Sequence, residues 1–130
     1  MARKEHRRRI LIVDDCLFVT SVLGRLLESR GYEVRGENDP TRALMAARRF
    51  RPDVMITDYY MPWKNGYELA ADLAQDAELG GTPVIMITAY TPGDDERNLF
   101  AVLTKPFEVA DLIRYINKAL GVTPGALVAT

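Results

Sequence analysis

The chain has 130 residues, 48% of them hydrophobic and 27% charged, with 17 Lys+Arg against 18 Asp+Glu and a formal net charge of −1. That length supports one domain burying on the order of two-thirds of its extended surface, and the lone Cys16 excludes an internal disulfide and points to a reducing compartment. No apolar run approaches the ~20 residues of a membrane span, and residues 10–13 behind the basic start are too few for a signal peptide, so a cytoplasmic location without a membrane partner is expected.

Charge is unevenly placed. Residues 1–9 hold five Lys/Arg and one Glu, a charge of +4, which leaves twelve Lys/Arg against seventeen Asp/Glu, or −5, for residues 10–130. Residues 1–8 are read as a solvated basic arm, residues 9–120 as the folded domain, and residues 121–130, with Pro124 and Gly125, as a flexible tail. Nucleic acid is not the expected partner, although a role for the arm in binding it is an alternative.

Short apolar runs alternate with helical periodicities. Residues 10–13 (Ile-Leu-Ile-Val) form the first strand. Cys16, Val19, Leu23, Leu26 and Leu27 then recur at three- and four-residue intervals and predict an amphipathic helix that stops before Gly31. Residues 32–35 are an edge-strand candidate. Asp39-Pro40 reads as a cap followed by proline in a first helical turn, with Ala43, Leu44 and Ala47 turned inward. Residues 54–57 make the next apolar run, Met61-Pro62 and Asn65-Gly66 punctuate a loop, and Tyr67, Leu69, Ala70 and Leu73 open a third helix. Gly80-Gly81 leads to residues 84–87, a continuous apolar strand, and residues 100–103 form another. Val109, Leu112, Ile113, Ile116 and Leu120 mark the last helix, with Gly121 as its stop. Strands apolar throughout must be buried on both faces, so the alternation predicts an α/β fold, a parallel sheet with helices on both sides.

Polar residues suited to chemistry follow these runs: Asp14-Asp15, Asp58, Thr88, and Lys105 one residue past residues 100–103. In an open parallel sheet the C-terminal strand ends share one edge, where ligands bind. One polar residue after a strand is an ordinary loop start. Four such stretches bring three carboxylates, a hydroxyl and an ammonium to one edge. Crowded carboxylates repel and raise one another's pKa unless a cation neutralises them, and an all-oxygen site with few protein ligands suits Mg²⁺ better than a calcium cage. Between Mg²⁺ and Lys105, Asp58 is set to attack phosphorus as a carboxylate nucleophile, a reaction governed by positioning and electrostatics.

With 44 residues from Asp14 to Asp58 and 30 from Asp58 to Thr88, the set Asp14-Asp15, Asp58 with Met61-Pro62 and Gly66 beyond, Thr88-Ala89 and Lys105-Pro106-Phe107 resembles the response-regulator receiver domain of bacterial two-component signalling. The resemblance covers residues 9–120. It implies a flavodoxin-like, doubly wound five-stranded parallel sheet of order 2-1-3-4-5 and a single-domain, chemotaxis-regulator-like receiver. It implies that Asp58 accepts a phosphoryl group from a phosphohistidine, that Asp15, Asp58 and the Tyr60 carbonyl hold Mg²⁺, and that Asp14 acts directly or through a metal-bound water. By the same resemblance, Thr88 and the Ala89 backbone N–H contact the phosphoryl group, Lys105 pairs with another of its oxygens, and the Lys105-Pro106 bond is cis. The implied partners are a sensor histidine kinase or histidine phosphotransfer protein and an unnamed downstream protein. The implied role is signalling by population shift, with no enzyme activity beyond self-phosphorylation and autodephosphorylation.

Two features depart from the family pattern. Three residues before Lys105, where the family commonly has an aromatic, stands Val102; Phe100 shares its strand parity and is the candidate replacement, coupling without an aromatic rotamer being the alternative. The 17 residues from Thr88 to Lys105 are short for the family, so helix 4, between strands 4 and 5, is expected to be shortened, with a turn at residues 91–95 and only residues 95–99 left for helix. Tyr60 and Tyr90 are candidate shields against water at the acyl phosphate, and Cys16 is expected to pack. Two other classes compete. A haloacid-dehalogenase-type phosphohydrolase wants a second acid two residues after its nucleophile, where this chain has Tyr60. A receiver that only binds, and is never phosphorylated, would not need the full set of acids, hydroxyl and lysine.

Overall fold

The computed structural model describes residues 7–89 and 98–122. Its strands are β1 (Arg9–Val13), β2 (Glu33–Glu37), β3 (Val54–Asp58), β4 (Val84–Thr88) and β5 (Ala101–Thr104), and its described helices are α1 (Leu17–Glu28), α2 (Ala43–Phe50), α3 (Gly66–Gln75) and α4 (Val109–Leu120). All pairings are parallel, in the order β2-β1-β3-β4-β5. This is the doubly wound sheet expected.

Alternation along the strands divides the core in two. Ile10, Ile12, Ile56, Ile85 and Ile87 face α1 and α4, where they meet Leu23, Leu27, Leu112 and Ile116. Leu11, Val13, Met55 and Val84 face α2 and α3, meeting Ala47, Phe50, Leu69 and Leu73. Each fully buried aliphatic side chain contributes about 1.5–3 kcal/mol. These neighbours in sequence serve opposite layers, which is why the central strands read as unbroken apolar runs.

Local details differ from expectation where tertiary contacts decide. β2 starts at Glu33 because Tyr32 turns into the core, where its hydroxyl donates to Asn117 Oδ1 on α4 at 3.4 Å. Asp39 caps a 3-10 turn, Pro40–Arg42, before α2, accepting from the Thr41 N–H and hydroxyl. Asn65 is the N-cap of α3, in a reciprocal capping box with Glu68, so Asn65-Gly66 starts a helix instead of marking a loop. Cys16 is the exposed residue before α1 and is not packed, which corrects its assignment to the apolar face. β5 begins at Ala101, leaving Phe100 half-exposed just outside it. The Lys105-Pro106 bond is cis. Tyr90, the turn expected at residues 91–95, most of the span expected for a shortened helix 4, and residues 1–6 and 123–130 of the expected arm and tail lie outside the described residues; residues 98–100, which are described, are not helical.

Candidate functional site

The strand order selects the place. From β1 the chain moves outward to β2 and returns to β3 on the other side of β1. The loops after β1 and β3 therefore leave toward opposite faces, and a crevice opens between the two strand ends. Register does the rest. Val13 pairs with Thr57, which sets Asp14 level with Asp58, while Asp58 pairs with Ile87 and Thr88 with Thr104. Thr88 thus stands one residue beyond Asp58, and Lys105 follows directly, its backbone N–H donating to the Thr88 carbonyl at 2.7 Å.

Carboxylate oxygens of Asp14, Asp15 and Asp58 lie within 4.8 Å of one another. Lys105 Nζ stands 3.6 Å from Asp58 Oδ1. Asp14 is 6% exposed, Asp58 is half-buried and Asp15 is open to solvent. Burial raises the Asp14 pKa above its ordinary value; the Cys16 N–H on Asp14 Oδ1, at 2.9 Å, and the Lys105 charge oppose this, while the charges of Asp58 and Asp15 reinforce it. Thr88 ends β4 buried, and Ala89 follows exposed. Tyr60 and Trp63 are exposed in the loop after β3. The predicted site residues on β1, β3, β4 and β5 are thereby brought to one edge.

Three hard oxygen donors, one of them desolvated so that its charge is disfavoured, make a set that a small divalent cation would neutralise. The donors' chemistry therefore fits Mg²⁺, with Asp14, Asp15 and Asp58 as side-chain candidates.

Two contributors had no place among the expected site residues. Asn38, just past β2, donates to the Asp14 carbonyl at 2.8 Å and to Thr20 Oγ1 at 3.0 Å, tying the acidic loop to α1. It obeys the same strand-end rule that singled out the acids. Gly66 is the second: a Cβ there would stand 2.6 Å from the Asp58 carbonyl oxygen and 2.9 Å from Met86 Sδ, so no larger residue fits without moving the Asp58 backbone. Its N–H donates to the Tyr59 carbonyl at 2.8 Å. The sequence signals a glycine but not this approach.

Beside the acids, Phe18 and Val22 of α1 with Phe107 and Val109 wall an apolar groove of about 310 Å³ that reaches Asp58 and Lys105. Phe18 is 74% exposed at its rim.

The family model for the response regulator receiver domain matches residues 10–117. The chain belongs to that family. This receiver is 33% identical over 117 residues to the protein PilH of Pseudomonas aeruginosa, an alignment covering 86% of this chain and 97% of PilH. It is 32% identical over 119 residues to the DNA-binding response regulator MtrA of Mycobacterium tuberculosis, covering 88% of this chain and 51% of MtrA. The chain thus spans about half the length of MtrA. Among solved structures, the receiver domain of the sensor histidine kinase PA1611 from Pseudomonas aeruginosa, which has a magnesium ion coordinated in its active site cleft, superposes with a TM-score of 0.79 at 28% identity, covering 88% of this chain and 98% of that one.

Proposed function

We propose that Asp58 is the phosphoacceptor of a two-component relay, taking its phosphoryl group from a phosphohistidine on a sensor histidine kinase or histidine phosphotransfer protein. The observation that carries this is the meeting of the Asp14, Asp15 and Asp58 carboxylates within 4.8 Å, with Lys105 Nζ 3.6 Å from Asp58. An Asp58 carboxylate oxygen attacks phosphorus; the P–O bond forms as the P–N bond to the donor imidazole breaks, and the imidazole keeps that electron pair and takes a proton from solvent. Mg²⁺, held by Asp14, Asp15, Asp58 and the Tyr60 carbonyl, would supply positive charge against the phosphoryl oxygens. Lys105 supplies a second positive charge. Thr88 and the Ala89 N–H hold the transferred group's oxygens.

The acyl phosphate then acts as a covalent ligand that favours one of two nearly balanced shapes and so controls binding of a downstream protein. The apolar groove beside Asp58, with Phe18 exposed on its rim, suits a helical donor domain that must bring its histidine to this edge. In this reading the protein works in the cytoplasm, residues 1–8 and 121–130 flank the domain as arm and tail, and its only catalysis is its own phosphorylation and dephosphorylation.

Incubation with acetyl phosphate and Mg²⁺, followed by intact mass, should show the gain of one phosphoryl group, absent from Asp58→Ala and from samples with excess chelator. A folded sample that stays unmodified with acetyl phosphate and with phosphohistidine donors would overturn the proposal.

A further inference from the structure

The α2 side of the sheet carries a cationic trough that the acidic site does not use. It measures about 370 Å³ and is lined by Arg35, Glu37, Arg42, Met45, Ala46 and Arg49. Nearby arginines are neutralised: Arg9 pairs with Glu33, Arg48 with Asp76 and Arg51 with Glu78. Among the described residues, Arg35, Arg42 and Arg49 form no ion pair, and all three are exposed. Two acids lie close in sequence: Glu37, in the lining, accepts the Asp39 N–H at 3.0 Å, and Asp39, which accepts from Thr41 at 2.9 and 2.6 Å, also feels the Arg42 charge, so three arginines face one carboxylate in the lining and one beside it. The lining therefore presents an excess of positive charge in a domain whose residues 10–130 sum to −5.

The row is also partly apolar. Ala43, Ala47 and Phe50 bury the inner face of α2, yet Met45 on the other side is 56% exposed between Arg42 and Arg49. An exposed methionine is a deformable apolar contact, often found where one helix accepts another. Arg42, the last residue of the 3-10 turn and N-cap of α2, precedes Met45 by three residues and Arg49 by seven, so it leads into the stripe that Met45 and Arg49 form on α2, about 10 Å long at 1.5 Å per residue.

We propose that this face of α2 docks an acidic amphipathic helix of a partner protein, with carboxylates seven residues apart on Arg42 and Arg49 and an apolar side chain between them on Met45. Arg35 flanks the same helix from β2. A second copy of this chain is a poor occupant. α1 carries only Glu28, α3 only Glu68 and Asp72, and α4 only Asp111, so none of the described helices presents two carboxylates seven apart. A nucleic-acid duplex is disfavoured by the apolar Met45 strip and by Glu37 in the lining, which would repel a continuous polyanion. The proposal uses no residue of the acidic cluster, so it stands or falls apart from the Asp58 chemistry.

The probe is a fluorescently labelled helical peptide of about 16 residues, two turns past the stripe, with two Glu seven apart and a Leu midway. It should bind the full chain in low salt, weaken as salt rises, and bind about tenfold more weakly to R42E/R49E, with a smaller loss for Met45→Ala. The neutral variant R42Q/R49Q should show the same direction of loss, and thermal unfolding checks that each variant is folded. A matching peptide with Lys for Glu should not bind. No binding up to about 1 mM peptide, binding indifferent to R42E/R49E and R42Q/R49Q alike, or tighter binding of duplex DNA through these arginines would each overturn the proposal.

Discussion

Replacing Asp14 by Asn should make the metal-free protein more stable. Two like unit charges 4.8 Å apart repel by about 0.9 kcal/mol in bulk water and about 3.5 kcal/mol at an effective dielectric of ~20. Asp14 faces two such neighbours, Asp58 and Asp15, and is itself the buried member of the cluster. In Asp14→Asn the amide oxygen can still accept the Cys16 N–H, so the substitution removes the charge and spares that hydrogen bond. Allowing for the lost attraction to Lys105 and for solvent screening at exposed Asp15, the net gain should be about 1–3 kcal/mol near neutral pH. Asp14 has a folded-state pKa above 3.8, so folded protein binds more protons than unfolded between those values, and its penalty is complete above the raised pKa. The advantage of D14N should therefore be full at neutral pH, shrink as pH falls through the raised value, and vanish below 3.8. Urea unfolding in chelator across that range measures it. With Mg²⁺ at ~100 times its dissociation constant the parent should recover about 2.7 kcal/mol and the variant less. A D14N protein no more stable than the parent in chelator at neutral pH would refute the electrostatic account.

The remaining predictions concern packing and coupling. Gly66→Ala, which in an exposed helix interior would add about 1 kcal/mol, should here cost about 1–3 kcal/mol, because the new methyl collides with the Asp58 carbonyl and Met86 Sδ; the urea midpoint reports the sign. Tyr32→Phe leaves Asn117 Oδ1 without its hydroxyl donor and should cost about 1 kcal/mol by the same assay, with Asn117→Leu in the Tyr32→Phe background recovering part of it. Val102→Ala and Phe100→Ala should leave the Trp63 fluorescence change on adding beryllofluoride and Mg²⁺ at its parental amplitude; loss of that change in folded Phe100→Ala would restore the aromatic-switch reading.

The acids, Thr88 and Lys105 are legible because each follows an apolar run, and the parallel sheet turns sequence-distant run ends into spatial neighbours. Periodicity also suffices for α1 and α4, whose apolar stripes are continuous. What the sequence hides depends on contacts across the fold. Nothing local to Tyr32 says that its ring leaves β2 for a partner on α4, and nothing local to Gly66 says that the Asp58 carbonyl lies where a methyl would go. Cys16 fits the helical stripe by spacing, yet it stands one residue before α1, at the exposed mouth of the crevice, where the stripe has not begun to face the core.

Absence of a ring at position 102 changes how a signal would leave the site. Val102 is β-branched and stiff at χ1, and Phe100 lies outside β5, half-exposed to solvent. A rotamer swing on β5 is therefore a poor carrier of the change. The backbone is a better one. The Asp58 carbonyl is packed against Gly66, Met86 Sδ lies beside the same glycine, and Met86 pairs in register with Val102. On the neighbouring row the Thr88 carbonyl accepts the Lys105 N–H. Movement of Asp58 or Thr88 toward a phosphoryl group must displace these close contacts, and packed interiors answer by shifting between discrete arrangements instead of yielding smoothly. The repulsion among the three acids keeps the metal-free corner of the molecule raised in energy; a cation there relieves it, whereas a phosphoryl group on Asp58 would add negative charge that the cation and Lys105 must offset, so the two would act on the balance together.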